Sequence, residues 1–176
     1  MLERPGFDQL SLPRAPNLAI APDGRQVVYI GYSSGQSRLY LRSLDQMQGE
    51  EMPGTEQAEG PFFSPDGGWV GFFRQGQLEK VTVSGGATGV LAQAPNNRGG
   101  TWGPDGTIVF ASGNQVGLSK VSADGGAAQP LTTIDRARER THRYPAFVPD
   151  GSAVVFTVGG SEDATFDDAR IDVLSL

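Results

Sequence analysis

The chain of 176 residues contains 38% hydrophobic and 19% charged residues, and it is rich in glycine (25) and proline (12). Its net charge of −6 opposes binding to nucleic acid and to anionic lipid, so we expect neither a nucleic-acid nor a membrane partner. The absence of cysteine and the single histidine exclude disulfides, thiolate metal sites and any site that needs two imidazoles, and we expect no metal and no other cofactor.

The first predicted element is a strand over residues 7–12, which precedes the repeats described below and has strand-like alternation. The residues before it, which include Glu3 and Arg4, lack the apolar core of a signal peptide. No stretch approaches the roughly 20 apolar residues that span a bilayer. We therefore expect a soluble chain, for which a cytoplasmic location is favoured.

Four Pro-Asp-Gly tripeptides mark an internal repeat. They begin at Pro22, Pro65, Pro104 and Pro149, at intervals of 43, 39 and 45 residues. A large apolar residue stands two positions before each proline, namely Ile20, Phe63, Trp102 and Phe147. Proline presets φ, aspartate hydrogen-bonds its own backbone and glycine adopts positive φ, so each tripeptide predicts a tight turn. We therefore interpret the four aspartates as turn formers rather than as catalytic carboxylates.

Each repeat predicts four strands, A to D, in a meander. Strand A ends just before the tripeptide, strand B covers 27–29, 70–72, 108–110 and 154–156, and strand C covers 39–41, 78–80, 118–120 and 171–173. Three repeats add a short strand D near 51–52, 90–91 and 130–131, and the fourth repeat lacks it. No segment has a convincing helical period, and the best candidate, 135–141, is too short.

Repeats of roughly 40 residues with four strands are typical of β-propeller blades. A lone sheet of this kind cannot bury both of its faces, whereas sheets stacked face to face around an axis can. The sequence therefore predicts an all-β fold, with one propeller module over 1–176. Its four blades are expected at 18–53, 60–92, 99–132 and 143–176.

The missing strand D of the last repeat predicts how the ring closes. Residues 7–12 are expected to complete the last blade and so to remove its exposed edge. This strand can return to its own chain and close a four-bladed ring, or it can complete the last blade of a second copy. We favour the second closure, an eight-bladed ring formed by a homodimer through strand exchange, because four blades alone need unusually splayed packing.

The second repeat also carries a family resemblance. Residues 62–67 read Phe-Phe-Ser-Pro-Asp-Gly and residues 69–73 read Trp-Val-Gly-Phe-Phe, which resembles the TolB-like, WD-type propeller repeats. Together with 39–42, 102–105 and 166–176, they look most like the propeller region that follows many bacterial serine/threonine protein kinases. The resemblance covers about 7–176 and implies a protein-interaction platform or a sensor. The chain itself has no kinase motif and has fewer repeats than such regions usually have.

Candidate binding residues lie where strand A begins. In a propeller the D–A and B–C loops share one face around the channel, and such loops carry function. Six residues before each motif proline stand Pro16, Glu59, Arg98 and Arg143. In a two-chain ring Arg98 and Arg143 appear twice and form a positive rim for an anionic ligand, flanked by Asn97 and Tyr144. The alternative is a set of ordinary rim residues that pair with Glu59 or with water.

No catalytic chemistry is predicted. His142, the only imidazole, lies in the basic loop 136–143 before the fourth strand A, and no nucleophile motif accompanies it. We include His142 among the candidate ligand-binding residues, although a structural or merely exposed histidine is the plainer interpretation. Glu162, Asp163, Asp167 and Asp168 cluster in the fourth B–C loop but lack a calcium-loop pattern, so we expect a solvated loop.

The sequence thus predicts a non-enzymatic module for binding and assembly. It is expected to associate with itself and to offer its loop face to a protein, a peptide or a small anion. Two alternatives stay open. The first is a sensor or interaction domain of a larger kinase-like protein, and the second is an enzyme with its active site in the channel.

Overall fold

The computed structural model of the chain describes residues 16–33, 35–161, 166 and 169–176. Every regular element within these residues is a β-strand. No helix in this part of the chain is long and apolar enough to cross a membrane. The strand predicted over 7–12 lies outside the described residues, and so do all four acidic residues of the last B–C loop.

The strands form four antiparallel sheets, each a meander of consecutive strands, as the repeat predicts. Blade 1 contains β1 (Leu18–Ile20), β2 (Gln26–Ser33), β3 (Gln36–Ser43) and β4 (Glu50–Glu51). Blade 2 contains β5 (Glu59–Phe63), β6 (Trp69–Arg74), β7 (Gln77–Thr82) and β8 (Gly89–Gln93). Blade 3 contains β9 (Gly100–Trp102), β10 (Thr107–Ala111), β11 (Leu118–Ser122) and β12 (Gln129–Pro130). Blade 4 has three described strands, β13 (Glu139–Phe147), β14 (Ala153–Gly160) and β15 (Arg170–Ser175).

The repeated tripeptide closes the first hairpin of every blade. In blade 2 the N–H of Gly67 donates to the carbonyl oxygen of Ser64 at 2.9 Å, and Gly67 has a φ of 70°. Oδ1 of Asp66 accepts the N–H of Gly68 at 2.9 Å, and the aspartates of the other three blades accept the N–H two residues further on in the same way. The four aspartates therefore have the turn-forming role that the sequence predicts.

Acidification is expected to weaken the fold through three of these turns. Hydrogen bonds hold the pKa of Asp66, Asp105 and Asp150 below its ordinary value; the main donors are the Ser64 hydroxyl, the Thr107 N–H and the Ser152 hydroxyl respectively. A carboxyl whose pKa is lowered by folding stabilises the native chain fully above its unfolded pKa, about 4. That contribution is lost as the pH falls through the lower pKa of the folded state.

Urea unfolding at about pH 6 and about pH 3, on either side of the unfolded pKa, measures this loss. The variant with Asp66→Asn, Asp105→Asn and Asp150→Asn keeps an acceptor in each turn but cannot titrate there. Its free energy of unfolding should fall less between the two pH values than that of the unmodified chain. An equal fall in both proteins would contradict the prediction.

Three apolar clusters lie at the three junctions between consecutive blades. The alternation of each B strand distributes its side chains to both neighbours. In blade 2, Val70 and Phe72 pack against blade 1, whereas Phe73 packs against blade 3. In blade 3, Phe110 packs against blade 2 and Val109 packs against blade 4. The two inner blades therefore bury both faces.

Among the described residues, nothing packs against one face of blade 1 and one face of blade 4. Their described strands make no contact with one another, so the described residues form an open arc and not a closed four-bladed ring. The open front face of blade 1 points away from blade 2 and carries Leu18, Ile20, Val27, Tyr29 and Tyr40. The open back face of blade 4 points away from blade 3 and carries Val155, Thr157, Ile171 and Val173.

Candidate functional site

Three candidate residues lie at the edge where the A strands of blades 2 and 3 begin. Arg143 and Tyr144 within β13 join them through the bond from the N–H of Tyr144 to the carbonyl oxygen of Arg98, and we call this group the loop face. Glu59 is the first residue of β5, and Asn97 and Arg98 lie just before β9. The side-chain amide of Asn97 donates to Glu59 Oε2 at 3.0 Å, and this bond joins blades 2 and 3. The residue that pairs with Glu59 is thus Asn97 and not one of the arginines.

Arg98 is buried and ties a loop to the start of strand A. Its Nη1 donates to the carbonyl oxygen of Asn97 at 2.7 Å, and its Nη2 donates to Asn114 Oδ1 at 2.6 Å. Because these acceptors draw the guanidinium inward, Arg98 holds the B–C loop of blade 3. Of the two arginines predicted to form a positive rim, Arg143 is the more exposed.

Tyr144 adopts a left-handed backbone conformation, with a φ of 50°. The aligned residues of blades 2 and 3 are Gly60 and Gly99, with φ values of 56° and 93°. A positive φ strains any residue that has a Cβ, and such strain clusters at functional sites. The N–H of Tyr144 donates to the carbonyl oxygen of Arg98 at 2.8 Å, which holds this geometry. Blade 4 therefore presents an exposed aromatic side chain where blades 2 and 3 have glycine.

Arg143 shares an aromatic ring with a second arginine. Its guanidinium carbon lies 4.5 Å from the centroid of Phe166, and that of Arg140 lies 5.6 Å from the same centroid, both within cation–π range. Burial, followed by repulsion from Arg98 and Arg140, lowers the pKa of Arg143 below its ordinary value. Neither Arg140 nor Arg143 forms an ion pair with any carboxylate that the structure describes. Among the described residues, positive charge is thus concentrated around Phe166.

His142 lies in a strand and not, as predicted, in a loop. The polar run from Glu139 becomes part of β13 because it pairs with the far end of β14, up to Gly160. The imidazole is buried: Nδ1 lies 2.7 Å from Thr132 Oγ1, Nε2 lies 3.1 Å from Glu139 Oε2, and the ring centroid lies 4.9 Å from that of Phe156. These partners differ from those of the loop-face residues, so the structure does not bring His142 into the loop-face group.

Sequence reasoning missed three residues of this region, Asn114, Arg140 and Phe166. Arg140 belongs to the basic run 136–143, which the sequence analysis identified. The run alone does not predict which of its side chains are buried. Asn114 and Phe166 lie in B–C loops, and their contacts cross between strands without a local signal. The described residues also contain no group of three or more histidine or acidic side chains that could hold a metal ion.

Solved structures with the same arrangement of blades are β-propeller proteins, which confirms the predicted fold class. A protein assigned as TolB from Agrobacterium tumefaciens matches with a TM-score of 0.74 and 22% identity, over 91% of this chain and 61% of that one. TolB from Acinetobacter baumannii matches with a TM-score of 0.73 and 17% identity, over 91% of this chain and 40% of that one. An oligogalacturonate lyase from Vibrio parahaemolyticus matches with a TM-score of 0.63 and 15% identity, over 88% of this chain and 50% of that one.

At these identities the similarity concerns the fold alone. The chain spans about three fifths of the first TolB chain and two fifths of the second. No protein-family model and no curated protein matches it. One of the similar structures is a lyase, so the fold does not decide whether this chain is an enzyme. The finer resemblance to kinase-linked propeller regions stays a prediction.

Proposed function

We propose that the chain is a non-enzymatic binding and assembly module that associates with a second copy to complete an eight-bladed ring. The observation that carries this proposal is the pair of uncovered apolar faces at the two ends of the arc. Ile20 on the front face is 61% exposed, and Ile171 and Val173 on the back face are 66% and 64% exposed. Contiguous apolar patches of this kind mark interaction surfaces.

The two open faces have the chemistry of the junctions that the chain already forms. In the junction between blades 1 and 2, Leu39 of strand C and Val28 of strand B pack against Phe63 of strand A. The repeat aligns Leu39 with Ile171, Val28 with Val155, and Phe63 with Ile20. The back face of one copy therefore offers the same positions to the front face of the other copy that blade 1 offers to blade 2.

Two such junctions close a symmetric ring from two chains. In this proposal residues 7–12 form a strand that pairs with β15 of the partner and completes the partner's last blade. The unpaired edge of β15 supports this assignment, since blade 4 is the one blade without a fourth strand among the described residues. Open strand edges of this kind invite pairing with another strand.

The mass in solution tests the proposal. The 18.6 kDa chain should sediment as a dimer, and Ile171→Asp or Ile20→Asp should convert it to a monomer, because each places a charge in a junction that excludes water. Val90→Asp is the matched control, since Val90 is exposed on β8 and lies on neither open face. Circular dichroism should show unchanged β-structure in all three variants.

A monomeric mass for the unmodified chain would overturn the dimer. Unchanged association of both Ile171→Asp and Ile20→Asp would instead show that copies meet elsewhere. In the alternative, the two faces are covered by further blades of a larger polypeptide, such as the kinase-linked propeller regions that the repeats resemble. That alternative predicts that the longer natural polypeptide has the mass of a monomer in solution.

The loop face is the binding surface in this proposal, and a protein segment or peptide is its partner. Its support is Tyr144, whose strained backbone places an exposed aromatic side chain next to Gly99, two residues after Asn97. Aromatic residues are enriched at the centres of interfaces. Tyr144→Gly relieves the backbone strain and removes the aromatic side chain, so it should weaken partner binding. The mass of the dimer in solution should not change.

A further inference from the structure

A surface cavity of about 300 Å³ lies between the end of blade 3 and the start of blade 4. Its walls are formed by Gln115, Ile134, Arg136, Glu139, Arg140 and Ser161. None of these residues belongs to the candidate set that the sequence indicates. The volume is at the lower end of the range for small-molecule sites, so it suits a compact ligand.

Two arginines line this cavity, and the one carboxylate among its described lining residues is already engaged. Glu139 Oε1 accepts a hydrogen bond from Arg170, and Oε2 accepts the N–H of Asp135 at 2.8 Å and lies 3.1 Å from His142 Nε2. Burial raises the pKa of Glu139, but these hydrogen bonds outweigh it and leave the pKa below its ordinary value. Glu139 is therefore ionised near neutral pH and directed at partners other than the two cavity arginines.

Arg140 has a hydrogen-bond donor that is not satisfied by any described group. Its Nε is buried and has no hydrogen-bond partner among the described groups, although a buried N–H normally has one. The Phe166 ring packs near its guanidinium, and Arg143 lies on the same ring and adds a further positive charge nearby. A ligand that carries negative charge, bound in the cavity beside Arg140, would offset this repulsion.

The neutral side chains of the cavity add a further donor and acceptors. Gln115 supplies an amide, and the Ser161 hydroxyl, which donates to the carbonyl oxygen of Ala137 at 3.3 Å, supplies an acceptor oxygen. Guanidinium groups bind planar carboxylates and tetrahedral phosphates through pairs of N–H donors. The lining therefore matches a ligand with one oxyanion and a few hydroxyl or carbonyl groups.

We propose that this cavity binds a small organic anion through Arg136 and Arg140, which hold its carboxylate or phosphate group. The inference goes beyond ring assembly, because every lining residue comes from one chain. It also differs from the rim of Arg98 and Arg143 that the sequence suggests, since neither of those residues lines the cavity.

Calorimetric titration of the full chain with succinate and, separately, with inorganic phosphate tests the proposal at constant ionic strength set with sodium chloride. At least one of the two anions should bind with one site per chain, and the stronger one identifies the preferred oxyanion. Arg140→Gln should weaken that binding roughly tenfold to a hundredfold, as expected for the loss of a charge-assisted hydrogen bond. Arg138→Gln is the matched control, because this arginine lies in the turn just before β13, is 85% exposed and does not line the cavity.

A second variant keeps the test decisive if Arg140→Gln is unstable. Gln115 is exposed at the cavity wall, so Gln115→Trp should fill the space and abolish binding without disturbing the core. Absence of binding by both anions would overturn the proposal, and so would equal affinity in the unmodified chain and both cavity variants. The mass in solution is a separate readout, so failure here is distinguishable from failure of the dimer.

Discussion

Replacement of Arg74 by methionine is expected to lower the free energy of unfolding by about 3–5 kcal/mol. Glu79 is 2% exposed, and its two carboxylate oxygens accept hydrogen bonds from Arg74 Nε at 2.9 Å and Nη2 at 2.5 Å. Arg74 Nη1 also donates to the carbonyl oxygen of Gly54, and Nη2 donates to Thr88 Oγ1. The substitution removes all four bonds and leaves a buried carboxylate without a countercharge.

A second substitution separates the cost of the stranded charge from the loss of packing. Arg74→Met with Glu79→Leu removes both charges, so most of the lost stability should return, because a buried ion pair adds little over a well-packed apolar pair. Arg38→Met is the surface control, since Arg38 pairs with Glu51 and Glu56 where water screens the charges, and its effect should be small. Equal losses in the single and double variants, measured by urea unfolding at neutral pH, would contradict this account.

Replacement of Phe110 by alanine should also lower the free energy of unfolding by about 3–5 kcal/mol. Phe110 is almost fully buried between blades 2 and 3, in a cluster that includes Phe62, Phe73 and Leu78. The substitution leaves a cavity between two sheets that are held apart by their other side chains, so the space cannot close fully. Urea unfolding followed by tryptophan fluorescence measures the loss.

Tyr29 provides an internal comparison, because it holds the same repeat position in blade 1. It lies on the open front face, where it stacks on Tyr40 at 5.7 Å, and partial burial raises its pKa. In a chain kept monomeric by Ile171→Asp, Tyr29→Ala should therefore cost much less stability than Phe110→Ala. Equal losses would show that the front face is already covered within one chain, against the proposed assembly.

Much of the fold is predictable because its signals are local. A Pro-Asp-Gly turn depends on only three residues, so the tripeptide forms the same turn in every blade. Asp66 and Gly67 are one example. The alternation of Val109 and Phe110 between two neighbouring blades follows from the period of a strand. Repetition adds strength to both signals, so the four sheets follow from the sequence, and so does the lack of a fourth strand in blade 4 among the described residues.

The candidate site is less predictable, because its properties depend on contacts between blades. Arg98 and Arg143 hold equivalent repeat positions, yet Asn114 draws the first guanidinium inward while Phe166 contacts the second. The same position that takes glycine in blades 2 and 3 takes Tyr144 in blade 4, and only the backbone angle shows that this residue is strained. No local pattern distinguishes these cases.

The sequence by itself determined that the chain is a series of β-propeller blades, because turn chemistry and strand alternation act over a few residues and recur about every 40. The tertiary structure decided which polar side chains are buried and paired: Glu79 with Arg74, His142 with Thr132 and Glu139. It also showed that the described residues leave the two outer faces open. Burial depends on which sheet lies against which, and that is a property of the stacked blades and not of any one repeat.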